Sequence, residues 1–192
     1  MPSGPPRQNR PRQPLLPAPL RVELVVTDER WNKVPDLHRI AGLAAAAYAQ
    51  LAVEHDPREV VIALGTDDEV RELNRTYRGK DRPTNVLSFP AAGSPDDGLL
   101  GDVILAYETC AEEADQHGIP MSDHACHLAL HGVLHLLGQD HEGDAEAEAM
   151  EQLETRLLAS INIADPHSGE ILDEALNEYF DDTDDEPGPS RD

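Results

Sequence analysis

The sequence predicts an α+β fold: a single domain built on a mixed sheet of roughly four strands, flanked by about five helices. Three observations carry this expectation. Short runs of β-branched and aliphatic residues are bounded by Gly, Pro or Asp. Longer segments place apolar residues three and four apart. Strands and helices are interleaved at first, helices alone follow, and no internal repeat is present. At 192 residues the chain suits one core.

Residues 1–20 hold seven prolines and no acidic residue, the composition of an extended, poorly ordered arm. From Arg21, the run Val22, Leu24, Val26 alternates with Glu23 and Val25 and reads as a strand, and Glu59 to Leu64 reads as a second, ended by Gly65. Between them Leu37, Ile40, Leu43, Ala44, Ala47 and Leu51 recur at helical spacing up to His55, and Pro57 closes the connection. Thr66 followed by Asp67, Asp68 and Glu69 is a capping box for a short helix to about Tyr77. Thr84 to Phe89 and Leu100 to Tyr107 read as two more strands around a Gly, Pro and Asp loop. Helices are expected at about Glu108 to His117, Ser122 to Leu137 and Asp144 to Ser160, the last with Met150, Leu153, Leu157 and Ile161 along one face. The folded domain is therefore placed at 21–169, and 170–192 is read as an acidic, disordered tail.

Hydrophobic residues make up 39% but aromatics only 4%, so the core must be built from Leu, Val, Ile and Ala. Cys110 and Cys126 have no CxxC spacing, and no apolar segment follows Arg7, Arg10 and Arg12 as in a secretory leader. A reduced, cytoplasmic chain is expected, without a disulfide framework. The longest apolar stretch, Ala41 to Val53, contains Gln50 and is shorter than the roughly 20 residues that cross a bilayer, so no membrane association is expected.

The net charge of −23 argues at first against a nucleic-acid partner. The distribution of that charge argues the other way. Residues 170–192 carry ten Asp or Glu against the single Arg191. Between Val22 and Gly169 there are ten Lys or Arg, and five of them (Arg71, Arg75, Arg78, Lys80, Arg82) fall within twelve residues. An acidic domain has concentrated half its positive charge in one place.

The chemistry lies in His131-Gly-Val-Leu-His135-Leu-Leu-Gly138-Gln-Asp140-His141. Histidines four apart on a helix point to one side and can grip one ion. Gly138 supplies a helix stop, after which the chain can reverse and bring His141 to the same ion. Three neutral imidazoles on Zn2+ leave a fourth position for water or substrate, the arrangement of a catalytic site at the end of a histidine-bearing helix. His124 and His127 lie on the same helix, but residues eight apart are separated by roughly 12 Å of rise. His127, His131 and His135 therefore cannot share one ion on a straight helix. The HxxxH spacing also occurs in the metallopeptidase HExxH helix, yet Gly132 stands where that motif has its general base. Gly132 costs a helix interior about 1 kcal/mol against Ala, so packing or a close approach must explain it.

The pattern HGxLHLxGxDH from His131 to His141 resembles the signature of the YbeY family of bacterial endoribonucleases. Leu73-Asn-Arg-Thr-Tyr-Arg-Gly-Lys-Asp81 followed by Pro83-Thr-Asn-Val-Leu-Ser-Phe-Pro90 is similar to that family's second block, and Leu100-Gly-Asp-Val103 to a third. The similarity spans about Val22 to Pro166. It implies a mixed sheet flanked by helices and a single-strand-specific, metal-dependent endoribonuclease. That enzyme would mature ribosomal RNA, notably the small-subunit 3′ end, and support ribosome quality control. It implies zinc on the three histidines that match His131, His135 and His141, and an activity that needs the arginine matching Arg78.

Within that resemblance Arg78 is expected to stabilise transition-state charge on the nonbridging oxygens, and Lys80 and Arg82 to steer the RNA backbone. Asp140 is expected either to orient a histidine or to serve only as a turn residue. Arg71 and Arg75 read as a solvated helix face. Expected partners are single-stranded RNA, especially rRNA, and small-subunit ribosomal proteins or assembly factors. Two other classes stay open: a non-enzymatic ribosome-assembly factor with a zinc site, and a zinc hydrolase of a non-RNA substrate, which Gly132 disfavours.

Overall fold

Alternation of apolar side chains along four strands, set against helices whose apolar stripes match, produces a sheet buried on both faces. The computed structural model describes residues 20–52, 57–92, 98–139 and 143–166. The strands are β1 (Leu20–Val26), β2 (Arg58–Gly65), β3 (Val86–Pro90) and β4 (Leu99–Ala106). The helices are α1 (Arg39–Leu51), α2 (Asp67–Arg78), α3 (Tyr107–His117), α4 (Met121–Leu136) and α5 (Asp144–Ala159).

The sheet order is β1-β2-β4-β3. β1, β2 and β4 run parallel, with Val22 opposite Val60 and Ile62 opposite Val103, and β3 is antiparallel to β4 at the edge. The predicted mixed four-stranded sheet with five helices is what forms. Side-chain parity then assigns the layers. Val60, Ile62, Leu64, Val86, Val103 and Leu105 join the core with α1, α4 and α5. Leu87, Ile104 and Ala106 turn the other way, onto Val70 and Leu73 of α2.

Local signals explain the element ends. Thr66 Oγ1 accepts from Glu69 N at 3.2 Å while the Glu69 carboxylate accepts from Thr66 N at 2.8 Å, the predicted capping box. Asp67 accepts from the backbone N and hydroxyl of Thr109, which ties the starts of α2 and α3 together. Gly79 and Gly138 end α2 and the α4 turn at φ 71° and 78°. Where β2 meets β4, Glu59 opposes Leu99 and Val60 opposes Gly101, so Leu100 is an extra residue in a bulge. A Cβ on Gly101 would sit inside contact distance of the Phe89 carbonyl and 2.8 Å from a Leu136 methyl. The end of α4 therefore rests directly on the β3–β4 backbone.

Four details depart from expectation. The third strand begins at Val86 rather than Thr84, because Asn85 Oδ1 accepts from Val86 N at 2.7 Å and its amide turns to Glu113. The fourth ends at Ala106, since Tyr107 opens α3 with its ring edge-on to Trp31 and Arg30 over its face at 4.3 Å. The first helix ends at Leu51, not His55, and 53–56 lie outside the described residues. A 3-10 turn at Glu29–Lys33 buries Trp31, whose Nε1 donates to Gly65 O at 2.9 Å. Of the expected arm at 1–20 all but Leu20, which opens β1, lies outside the described residues, as do 167–169 and the expected tail at 170–192. Among the described residues, both cysteines are buried free thiols and no helix is long and apolar enough to cross a membrane.

Candidate metal centre

α4 is the most buried helix, enclosed by the sheet, α1, α3 and α5, and its histidines divide by what they face. His131 Nε2 and His135 Nε2 approach to 3.0 Å. Two nitrogens bound to one tetrahedral zinc at 2.0–2.1 Å are about 3.4 Å apart, so this pair lies close to the separation needed to share a cation. His131 is buried and His135 half-buried. His131 Nδ1 lies 2.8 Å from Glu154 Oε1 of α5. A carboxylate there holds the proton on Nδ1 and leaves the Nε2 lone pair directed at the shared point. As a donor set, two convergent imidazoles, one of them backed by a carboxylate, suit zinc.

His127 and His124 face elsewhere. His127 Nε2 lies 3.5 Å from Glu154 Oε2, and burial pushes its pKa down against the opposing pull of Glu154. His124 Nε2 lies 2.6 Å from Glu113 Oε2, and Glu113 also accepts from Asn85 Nδ2 at 3.1 and 3.2 Å. Among the described residues no cluster of three or more metal-binding side chains is complete. His141 and Asp140, the predicted third ligand and its neighbour, lie outside the described residues.

Gly132 has the packing reason the sequence required. A Cβ at this position would meet Val103 Cγ1 at 2.8 Å and Cγ2 at 3.2 Å, with Val86 Cγ2 at 3.5 Å. The slot faces the sheet, between β4 and β3, so any larger side chain there would have to displace Val103. The residue at the position of the metallopeptidase base is thus a packing glycine with no side chain to act as one.

The basic block occupies α2 and the turn after it, on the opposite face of the sheet. Arg71 pairs with Asp81 at 2.7 Å and Arg75 with Glu72 at 2.7 Å, as expected of a solvated helix face. Buried Asn74 staples the turn, donating to Arg82 O at 2.8 Å and accepting from Lys80 N at 3.3 Å. Arg78 and Arg82 are exposed and Lys80 is half-buried. The two helices nevertheless finish at the same end of the sheet. Tyr77 lies on Phe89, which pairs with Asp102, while Leu136 lies on Gly101, which pairs with Pro90. Arg78, at the end of α2, and the histidine pair of α4 thus belong to helices on opposite faces of the sheet.

Sequence reasoning missed Glu154, the residue most closely engaged with the histidines. It is 1% exposed. A signal was present: Glu154 stands four after Met150 and three before Leu157, a lone carboxylate on the apolar face of α5. The Glu113–His124–Asn85 cluster was also missed, and its partners are too far apart in sequence to announce one another.

Comparison with known proteins agrees with this frame. The family model described as Endoribonuclease YbeY matches residues 26–162. An Endoribonuclease YbeY of Rhodopseudomonas palustris (strain BisA53) is 45% identical over 157 residues, covering 78% of this chain and 91% of the relative. One from Novosphingobium aromaticivorans is 47% identical over 156 residues, covering 74% and 93%. One from Sphingopyxis alaskensis is 49% identical over 138 residues, covering 67% and 82%. A solution structure of a Thermotoga maritima protein, 24% identical, superposes with a TM-score of 0.51 over 89% of this chain and 99% of that one, a likeness of fold. Spanning the basic block, the bulged strand and the histidine helix alike, the match places this chain in the YbeY family of endoribonucleases.

Proposed function

We propose that this chain is a zinc-dependent, single-strand-specific endoribonuclease of the cytoplasm. Its work is rRNA maturation, at the small-subunit 3′ end, and ribosome quality control. The observation that carries the reading is the convergence of His131 and His135 at 3.0 Å with Glu154 behind them, in a chain of the YbeY family.

His131, His135 and His141 would hold the ion, with water or substrate completing its shell. Bound zinc supplies Lewis acidity, which makes water a competent nucleophile near neutral pH and polarises a phosphoryl oxygen. Glu154 holds the Nδ1 proton of His131, so the imidazole need not reorganise. Arg78 donates to the nonbridging oxygens as charge accumulates on them, with a fork that matches two oxygens at once. Lys80 and Arg82 bind the flanking phosphates, which draws a polyanion onto one patch of an otherwise acidic surface. Asp140 would orient one of the histidines. Small-subunit ribosomal proteins or assembly factors are the partners that would present the rRNA.

The test is cleavage of labelled single-stranded RNA by protein stripped of metal and then reconstituted with zinc, beside His135→Ala purified in parallel. Cutting that appears with zinc and is absent from the variant supports the assignment. Equal cutting by both proteins refutes it.

A further inference from the structure

In a chain whose aromatics make up 4% of residues, Tyr77 stands at the C-terminal end of α2 with 68% of its surface exposed. Among the described residues it is the most exposed large apolar side chain. Such exposure forfeits the stabilisation that burying an aromatic ring provides. The ring is nonetheless held in place. Phe89, half-buried on β3, supports it at a centroid separation of 5.2 Å and an interplanar angle of 59°. The phenol thus rests against one aromatic neighbour while most of its surface is exposed.

Its surroundings are cationic. Arg78, Lys80 and Arg82 follow within five residues, and Asp81, the single carboxylate of residues 78–84, is engaged by Arg71. The buried Asn74 staples this turn, donating to the Arg82 carbonyl and accepting from Lys80 N. Phe89 in turn pairs with Asp102, adjacent to the Gly101 backbone on which Leu136, the residue after His135, rests. Tyr77 thus stands at the end of the sheet where α4 also finishes, on the other face.

We propose that Tyr77 is a base-stacking platform for single-stranded RNA, a subsite that holds one unpaired base beside the scissile phosphate; this rests on the nuclease reading. The chain's acidity gives the reason for it. Phosphate contacts are weakened by the surrounding negative field and by salt. Stacking on an aromatic ring is indifferent to both, and it selects unpaired bases because a paired base has no free face. Phe89 fixes the ring's tilt, so little freedom is lost when a base settles on it.

The experiment measures anisotropy of labelled oligoadenylate on the full chain carrying His135→Ala, alone and with Tyr77→Ala, Tyr77→Phe or Tyr77→Trp, at low and high salt. Helix content by circular dichroism accompanies each variant, and KM for RNA cutting is measured in the chain with His135 intact. Tyr77→Ala should weaken binding between about 5-fold and about 150-fold. That loss should be the same at both salt concentrations, with KM raised to match. Tyr77→Phe and Tyr77→Trp should retain binding. Wild-type RNA cutting with unchanged affinity and KM in Tyr77→Ala overturns the platform and leaves the nuclease reading standing. A loss shared by Tyr77→Phe, or one that vanishes at high salt, also overturns it, since the hydroxyl or a charge would then be responsible. RNA neither bound nor cut by the chain with Tyr77 intact sinks both readings.

Discussion

Replacing Glu154 separates a carboxylate that orients a ligand from one that merely fills space. Glu154 is buried, 2.8 Å from His131 Nδ1 and 3.5 Å from His127 Nε2. Glu154→Ala leaves the Nδ1–H of His131 without its acceptor inside the core, at a cost of about 1–3 kcal/mol to the metal-free fold. The loss of a partner to a ligating histidine should weaken zinc affinity by about 10- to 100-fold. Through linkage, that is about 1.4–2.7 kcal/mol less zinc-dependent stabilisation at a fixed saturating concentration. Glu154→Gln keeps the shape and an acceptor oxygen but loses the charge, and should fall between the two. The assay is zinc affinity by competition with a chromophoric chelator, read alongside Tm with and without zinc. Zinc affinity of Glu154→Ala within about twofold of wild type, with only the metal-free Tm lowered, would refute the orienting role.

Two further outcomes follow from the packing and the ion pairs. Gly132→Ala gains about 1 kcal/mol of helix propensity, yet its Cβ would press on Val103, whose branched side chain has little freedom to move aside. The net effect should be destabilising by about 1 kcal/mol, and more for Gly132→Val, measured as the urea midpoint. Asp28 has its carboxyl held below the usual range, chiefly by its hydrogen bond from the Arg30 side chain. A depressed folded-state pKa stabilises the fold above the ordinary aspartate value of about 4 and loses that contribution as pH falls through the folded value. Arg30→Met should therefore lower the urea midpoint at neutral pH. The gap from wild type should narrow once Asp28 is protonated, and a gap that is constant down to strongly acid pH would show that the ion pair contributes nothing.

Much of the fold is legible in the sequence because its signals are local. Thr66 with Glu69, Gly138 after Leu137, and the alternation through Val103 and Leu105 each need only a few neighbouring residues to interpret. Tyr107 misleads because Tyr suits a strand, and only Trp31 and Arg30, far away in sequence, show that it opens a helix. Strand order is likewise beyond reach, since nothing local to β3 says that it turns antiparallel on the far side of β4. At the candidate site the same division holds. His131 and His135 announce themselves by spacing, whereas Glu154 lies 23 residues from the histidine it holds. The relation of Arg78 to the histidines depends on two helices ending at one end of the sheet from opposite faces.

The slot at Gly132 also limits what this scaffold can become. A path from this chain to a metallopeptidase would have to place a glutamate between the two histidines. Val103 already occupies the space its stem would need, with Val86 in contact behind it. Shrinking them first would open a void beneath α4 and loosen the helix that carries both imidazoles. Either order of change carries a packing cost, so a shared HxxxH spacing alone does not make one chemistry readily accessible from the other.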